Sequence, residues 1–391
     1  MRSPQSVALM AALTAEGDIA RFVGGCVRDA VAGRPVTDID VATSGAPETN
    51  TRLLQAAGIK VVPTGIAHGT LTALTGGRHF EVTTLRRDVE TFGRHARVAF
   101  TDDWLADASR RDFTMNALYA DPDGTLYDPA GGIVDLESGR VRFVGRAARR
   151  IAEDRLRILR FFRFHAWYGR GRANRAAIRA CEAAAAGIDV LSGERIRQEL
   201  MKLLAAPRPL PALRLMARHR VLERILTGGA DLAALASLIR REETEWAADP
   251  LMRLAALMTG QGAAAAEGLA VRLRFSNADR DRLRFLLARP VALRAGVGRR
   301  EVRRAVYEHG PERIVDLARL IGRPQAASEA QRLERPEFPL RGRDGRATGI
   351  AAGPRLGALL AAVEAWWVAG DFAADRDACL SRLRELAGTD A

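Results

Sequence analysis

The first third of the chain is built from short runs in which apolar and polar positions alternate, the pattern of half-buried strands. IARFVGG reads as a strand entering a turn, and VTDIDVAT as a second strand. Residues 48–57 (ETNTRLLQAA) read as a helix, with Pro47 near its start. IKVVPTG, GTLTALTGG and RHFEVTTLR follow as short β-rich runs bounded by glycines. The next stretch, residues 86–103, is rich in charge around Gly93 and has little periodicity, so a mobile loop is expected there.

From about residue 149 the period changes. IAEDRLRILRFFRFHAWYG sets Ile151, Leu156, Leu159, Phe162 and Phe164 at helical spacing among arginines. Helical patterns continue to about 325, broken at APRPLP (206–211), TGGAD (227–231) and LARP (287–290). A Gly/Pro/Arg-rich stretch then leads into the apolar helix ALLAAVEAWWVAG, whose Trp366-Trp367 pair is expected in a core. The expected fold class is α+β, a compact head with a mixed sheet followed by an all-α remainder. The expected divisions are a head at 1–135, a neck at 136–205, a body at 206–325 and a tail at 326–391.

Composition narrows the partners. Among the 391 residues no apolar run is long enough to cross a membrane. The brief apolar stretch at the start is soon followed by Glu16 and Asp18, a poor targeting signal, so cytoplasm is the expected location. Cys26, Cys181 and Cys379 lie far apart and form no metal-binding spacing, which fits a reducing compartment. The net charge is +13, and almost all of the basic residues are arginine. Residues 1–150 hold 18 bases and 18 acids, so the whole excess lies in residues 151–391. A neutral front joined to a basic rear suggests chemistry in one part and a polyanion held by the other.

The chemistry is concentrated in GGCVRDAVAGRPVTDIDVAT, Gly24 to Thr43. Asp38 and Asp40 stand two residues apart, so a strand places both carboxylates on one face. At a few ångströms they repel by about 4 kcal/mol at an effective dielectric of 20. A divalent metal, an arginine or a shared proton must offset this. Oxygen donors with no nearby histidine or cysteine favour Mg²⁺. Glu81, in RHFEVTTLR, is a candidate third ligand from a neighbouring strand. Gly24 and Gly25, between a strand and a helix, let backbone N–H groups approach phosphates, with Arg28 beside them. The combination describes a nucleoside triphosphate gripped by backbone amides and bridged by metal to the aspartates.

These residues resemble the signature of the nucleotidyltransferase superfamily that contains tRNA CCA-adding enzymes and bacterial poly(A) polymerases. RRDFTMNALYAD (110–121), DPAGGIVDLESGRVRFVG (128–145) and EDRLRILRFFRF (153–164) are similar to the family's second, third and fourth motifs. SGERIRQELMKLL (192–204) resembles the next helix, and GRDGRATGIAAGPRLGALL (342–360) the tail. The clear resemblance covers about the first 205 residues.

The resemblance implies that Asp38, Asp40 and Glu81 hold catalytic metal and that Gly24, Gly25 and Arg28 hold the triphosphate. Asp29 would orient Arg28, and Asn116 would brace the turn. Arg111 and Asp112 would contact the phosphates and ribose of the incoming nucleotide. Glu153, Asp154, Arg157 and Arg160 are spaced as a row on one helix. In the family this motif selects the base. Cytosine and adenine both offer an amino donor beside a ring-nitrogen acceptor, which a carboxylate and an arginine match and which uracil and guanine do not offer. Asp154 and Arg157 would form that pair, with Glu153 positioning Arg157. Residues 86–103 match the family's flexible loop, and the arginines behind residue 150 would hold tRNA by phosphate contact and shape. The implied activity is addition of CCA to tRNA from CTP and ATP, with no obligate protein partner.

PTGIAHGTLTAL (63–74) looks like the CCA-adding type rather than the poly(A) polymerase type. A poly(A) polymerase or an A-adding enzyme on the same fold, and a non-catalytic RNA-binding protein, remain the rivals. No histidine is followed by aspartate, so no HD phosphohydrolase activity is expected.

Overall fold

The computed structural model describes residues 1–65, 69–92, 95–294 and 296–389. Two compact units are present, one of residues 1–232 with 272–274, the other of residues 233–271 with 275 onward.

The first unit opens with helix α1 (Pro4–Leu13), capped by the Ser3 hydroxyl, which accepts from the Ser6 amide at 3.2 Å. Strand β1 (Ala20–Val23) turns through Gly24 into helix α2 (Gly25–Val31). Then come β2 (Ile39–Thr43), α3 (Pro47–Ala56), β3 (Lys60–Gly65), β4 (Thr70–Thr75) and β5 (Arg78–Thr84). Alternation decides the faces. Phe80, Val82 and Thr84 of β5 are buried, while His79 and Glu81 are exposed. Residues 66–68 of PTGIAHGTLTAL lie outside the described residues.

The segment expected to be a loop is instead a ribbon. β6 (Arg86–Phe92) and β7 (His95–Phe100) pair antiparallel as a two-stranded sheet. Antiparallel backbone pairing between the two strands holds the ribbon together. Gly93 lies outside the described residues.

Helix α4 (Trp104–Arg110), capped by Asp103, leads to the short strands β8 (Tyr119–Ala120) and β9 (Leu126–Tyr127). The main sheet runs β3-β4-β5-β2-β1-β8-β9. Only β2 and β5 pair parallel among its neighbours. Leu9, Leu13, Phe22, Val27, Val41, Leu54, Phe80 and Val82 form one core beneath it.

Six helices follow in this unit: α5 (Gly132–Glu137), α6 (Ala147–Glu153), α7 (Arg157–Tyr168), α8 (Arg175–Ala183), α9 (Gly193–Leu204) and α10 (Pro209–Arg218). EDRLR does not form the single helical row its spacing predicts. α6 ends at Glu153, Asp154 is extended (φ −151°, ψ 113°), and α7 begins at Arg157. The Asp154 carboxylate accepts from the Leu156 amide at 3.0 Å. An aspartate competing for a backbone donor is a local alternative to helix, and here it wins.

Among its described residues, the regular elements of the second unit are all helices. Helices Pro354–Ala369 and Arg376–Thr389 enclose a cluster of Leu340, Val363, Trp367, Phe372, Cys379 and Leu383. Trp367 is buried as expected, whereas its neighbour Trp366 is exposed, because adjacent helix positions cannot both face one core. All three cysteines are free and buried. No helix of the described residues is long and apolar enough to cross a membrane.

Candidate active site

Gly24 adopts φ 73° and ψ −121°, a backbone state that side chains rarely tolerate, and its amide donates to the Leu118 carbonyl at 3.0 Å. A Cβ placed on Gly24 would lie 3.4 Å from Arg111 Nη1, and one on Gly25 would lie 3.7 Å from Arg28 Nη2. Two guanidinium groups therefore flank the glycine turn at the start of α2.

Each guanidinium is held from behind. Arg28 donates from Nε and Nη2 to Asp29 at 3.0 and 2.8 Å, and from Nη1 to Asn116 Oδ1 at 2.6 Å. Asp29 and Asn116 thus fix Arg28 and leave two of its five donors for a ligand. Arg111 donates from Nε and Nη2 to Asp107 Oδ2 at 3.1 and 2.8 Å, with Nη1 left beside Gly24. Burial alone would raise the Asp107 carboxyl, but Arg111 and Arg110 outweigh it and hold it at about 2. Asp107 is therefore a fixed anion at the root of both arginines.

The acidic side is built by the parallel pair. Asp40 of β2 is in register with Glu81 of β5, while Asp38 stands just before β2. Burial, then the Glu81 charge, with Asp38 adding to it, push the Asp40 carboxyl up to about 6. Arg111 and Arg28 pull the other way, so the glycine-turn arginines and the carboxylates share one electrostatic field. Asp38 is largely exposed, with His79 Nε2 at 4.0 Å from its Oδ1. Among the described residues no three such side chains converge closely enough to hold a metal ion. Asp40 is thus reluctant to ionise beside Glu81, and a cation between them would favour its charged form. An oxygen-only set of this kind fits a hard divalent ion.

Glu153, Asp154, Arg157 and Arg160 lie on either side of the α6–α7 break. Arg157 Nη1 donates to Glu153 Oε2 at 2.6 Å and to the Arg150 carbonyl at 3.0 Å, so Glu153 does orient Arg157. Asp154 does not bond to the Arg157 side chain. Its Oδ2 pairs with Arg195 of α9 at 2.7 Å, and the Arg157 amide donates to its carbonyl at 3.1 Å. Asp112 is buried and accepts from Phe113 N, from Asn116 Nδ2 at 2.9 Å and from Arg160 Nε at 2.7 Å. Burial would raise Asp112, but Arg160 outweighs it and the carboxyl sits at about 2. Asp112 and Arg160 thus hold each other and join the second motif to α7.

Comparison with known proteins identifies the family. Residues 20–142 match the model described as the poly A polymerase head domain. Residues 175–232 match the model described as a probable RNA and SrmB-binding site of polymerase A. The chain is 35% identical over 380 residues to "CCA tRNA nucleotidyltransferase 1, mitochondrial" of Danio rerio, covering 93% of this chain and 87% of the relative. The chain belongs to the CCA-adding tRNA nucleotidyltransferase family. It is also 39% identical over 230 residues to the "CCA-adding enzyme" of Streptococcus sanguinis, covering 58% of this chain and 54% of the relative. The solved structure of the Bacillus stearothermophilus CCA-adding enzyme in complex with CTP superposes with TM-score 0.80 at 27% identity, covering 100% of this chain and 99% of that one.

Within a CCA-adding nucleotidyltransferase, three residues here gain a place that sequence reasoning did not give them. Asp107 anchors Arg111, Arg195 holds Asp154, and the Tyr168 hydroxyl donates to Asp29. Arg195 lies within SGERIRQELMKLL, a segment already singled out. Asp107 stands four residues before Arg111, a spacing the sequence offered, whereas nothing local marks Tyr168, whose partner Asp29 is decided by packing.

Proposed function

We propose that this chain adds CCA to the 3′ end of tRNA from CTP and ATP without a nucleic-acid template. The observation that carries the reading is the in-register pair Asp40 and Glu81 facing a glycine turn flanked by Arg28 and Arg111. Asp38, Asp40 and Glu81 would hold Mg²⁺, which when bound supplies charge neutralisation for the attacking hydroxyl and the departing pyrophosphate. Gly24 and Gly25 admit the triphosphate to the start of α2, and the free donors of Arg28 and Arg111 bind its oxygens. Arg157, oriented by Glu153, and Asp154, oriented by Arg195, present a donor and an acceptor to the base edge. That pairing accepts C and A and refuses U and G. Asp112 and Arg160 keep α7 in register with the head while the base is read.

The arginine excess behind residue 150 would hold the acceptor end and elbow of tRNA through phosphates. Three buried free thiols suit a reducing compartment, and we place the work in the cytoplasm. The poly A polymerase match of the head favours one second reading, addition of A alone.

The test uses three tRNAs, ending at the discriminator base, at C and at CC. Each is incubated with Mg²⁺ and CTP, ATP or both, and products are sized on a gel. Two C additions, then one A, then a stop are expected. A long A ladder would replace this reading with poly(A) polymerase, A only on the CC-ended tRNA with an A-adding enzyme, and no addition with an RNA binder.

A further inference from the structure

Helix α7 reaches Arg28 by two routes. At its last residue, the Tyr168 hydroxyl donates to Asp29 Oδ1, the same oxygen that accepts from Arg28 Nε. The Arg28 guanidinium also stands 4.6 Å from the Tyr168 ring centre and 5.2 Å from that of Phe164. Near the start of α7, Arg160 holds Asp112, Asp112 holds Asn116, and Asn116 accepts from Arg28 Nη1. The first residue of this helix is Arg157, placed above at the base edge. One twelve-residue helix therefore links base selection at one end to the triphosphate arginine at the other.

The role of Tyr168 is specific. Asp29 must supply three acceptor interactions, two to Arg28 and one to Tyr168. The hydroxyl fixes the carboxylate plane, and the carboxylate plane fixes the guanidinium fork. Burial holds the Tyr168 phenol above its usual range, so it remains a donor at neutral pH. Arg34 also stands 4.4 Å from the centre of the same ring, so two cations pack on Tyr168.

We propose that Tyr168 is a positioning residue for triphosphate binding: its hydroxyl sets Asp29, and Asp29 aims Arg28 at the glycine turn. This rests on the reading of Arg28 as a triphosphate ligand. The hydroxyl acts on the phosphates and not on the base, so its loss weakens CTP and ATP alike.

Tyr168→Phe keeps the ring and its stacking on both arginines and removes only the donor. In full-length protein with tRNA ending in CC, KM for ATP should rise about tenfold with kcat within about twofold. KM for CTP on tRNA ending in C should rise by the same factor. The inhibition constant of inorganic tripolyphosphate should rise in parallel, while KM for tRNA and the preference for CTP over UTP stay unchanged. Arg28→Ala should raise the same constants further, and adding Tyr168→Phe to it should then change nothing. Asp29→Asn, a second way to loosen the fork, should reproduce the Tyr168→Phe pattern. If Arg28→Ala weakens tripolyphosphate but Tyr168→Phe and Asp29→Asn do not, the positioning role is overturned while the Arg28 reading stands. If Arg28→Ala leaves tripolyphosphate and nucleotide KM untouched, the Arg28 reading fails and the positioning role fails with it.

Discussion

Asp40 and Glu81 sit opposite each other on the parallel strands β2 and β5, and the charge of Glu81 opposes the ionisation of Asp40. Strand pairing, which stabilises the sheet, here forces together two groups that repel. That is a cost to the fold which a bound cation would offset.

Asp40→Asn should therefore abolish nucleotide addition, by more than about a hundredfold, and at the same time stabilise the metal-free protein. Asp40 has its carboxyl raised from 3.8 to about 6 in the folded chain, so its ionisation disfavours folding. The penalty is fully present above about pH 6 and absent below the unfolded value. Urea unfolding in EDTA should show the variant more stable by about 1–3 kcal/mol at pH 8, with the gap closing as pH falls toward 4. A variant less stable than wild type at pH 8 would contradict this.

Asp107 and Asp112 behave in the opposite sense. Burial raises both, their arginine partners outweigh it, and both carboxyls are depressed to about 2. Their stabilisation is complete above the unfolded value near 3.8 and is lost as pH falls through about 2. Asp107→Asn leaves Arg110 and Arg111 without their buried anion and should cost about 3–5 kcal/mol in urea unfolding at neutral pH. Its effect on nucleotide KM should exceed that of Arg110→Gln, because Asp107 also holds Arg111, whose Nη1 stands beside Gly24.

Arg195 is predicted to govern fidelity without touching the metal ligands. It holds Asp154 at 2.7 Å across 41 residues of chain. Arg195→Gln should lower the CTP over UTP preference by about tenfold, within the range of one lost bidentate discrimination. Glu153→Gln should do the same through Arg157. Single-turnover incorporation with each nucleotide measures both, and unchanged preference in the two variants would remove the base-reading assignment.

tRNA affinity should fall by at least about tenfold between roughly 50 and 200 mM salt, because the charge excess lies behind residue 150 and reads phosphates. Nucleotide KM should move much less over the same range. Filter binding at fixed Mg²⁺ gives the slope directly.

Much of this molecule was legible before folding. The glycine turn, the Asp38–Asp40 spacing, the Arg28–Asp29 clamp and the Glu153–Arg157 bond are local, set by neighbours no more than four residues away. Strand and helix periods are local as well, so the head and the start of the helical part were visible in the pattern of side chains. Tertiary structure decided the rest. It set Glu81 beside Asp40, tied Arg160 to Asp112 across 48 residues, and gave Asp154 to Arg195 rather than to Arg157. It also paired β6 with β7 where a loop was expected. The physical reason is common to these cases. Charge partners and backbone partners distant in sequence are chosen by which elements pack together, and a one-dimensional pattern records the period of each element but not its neighbour.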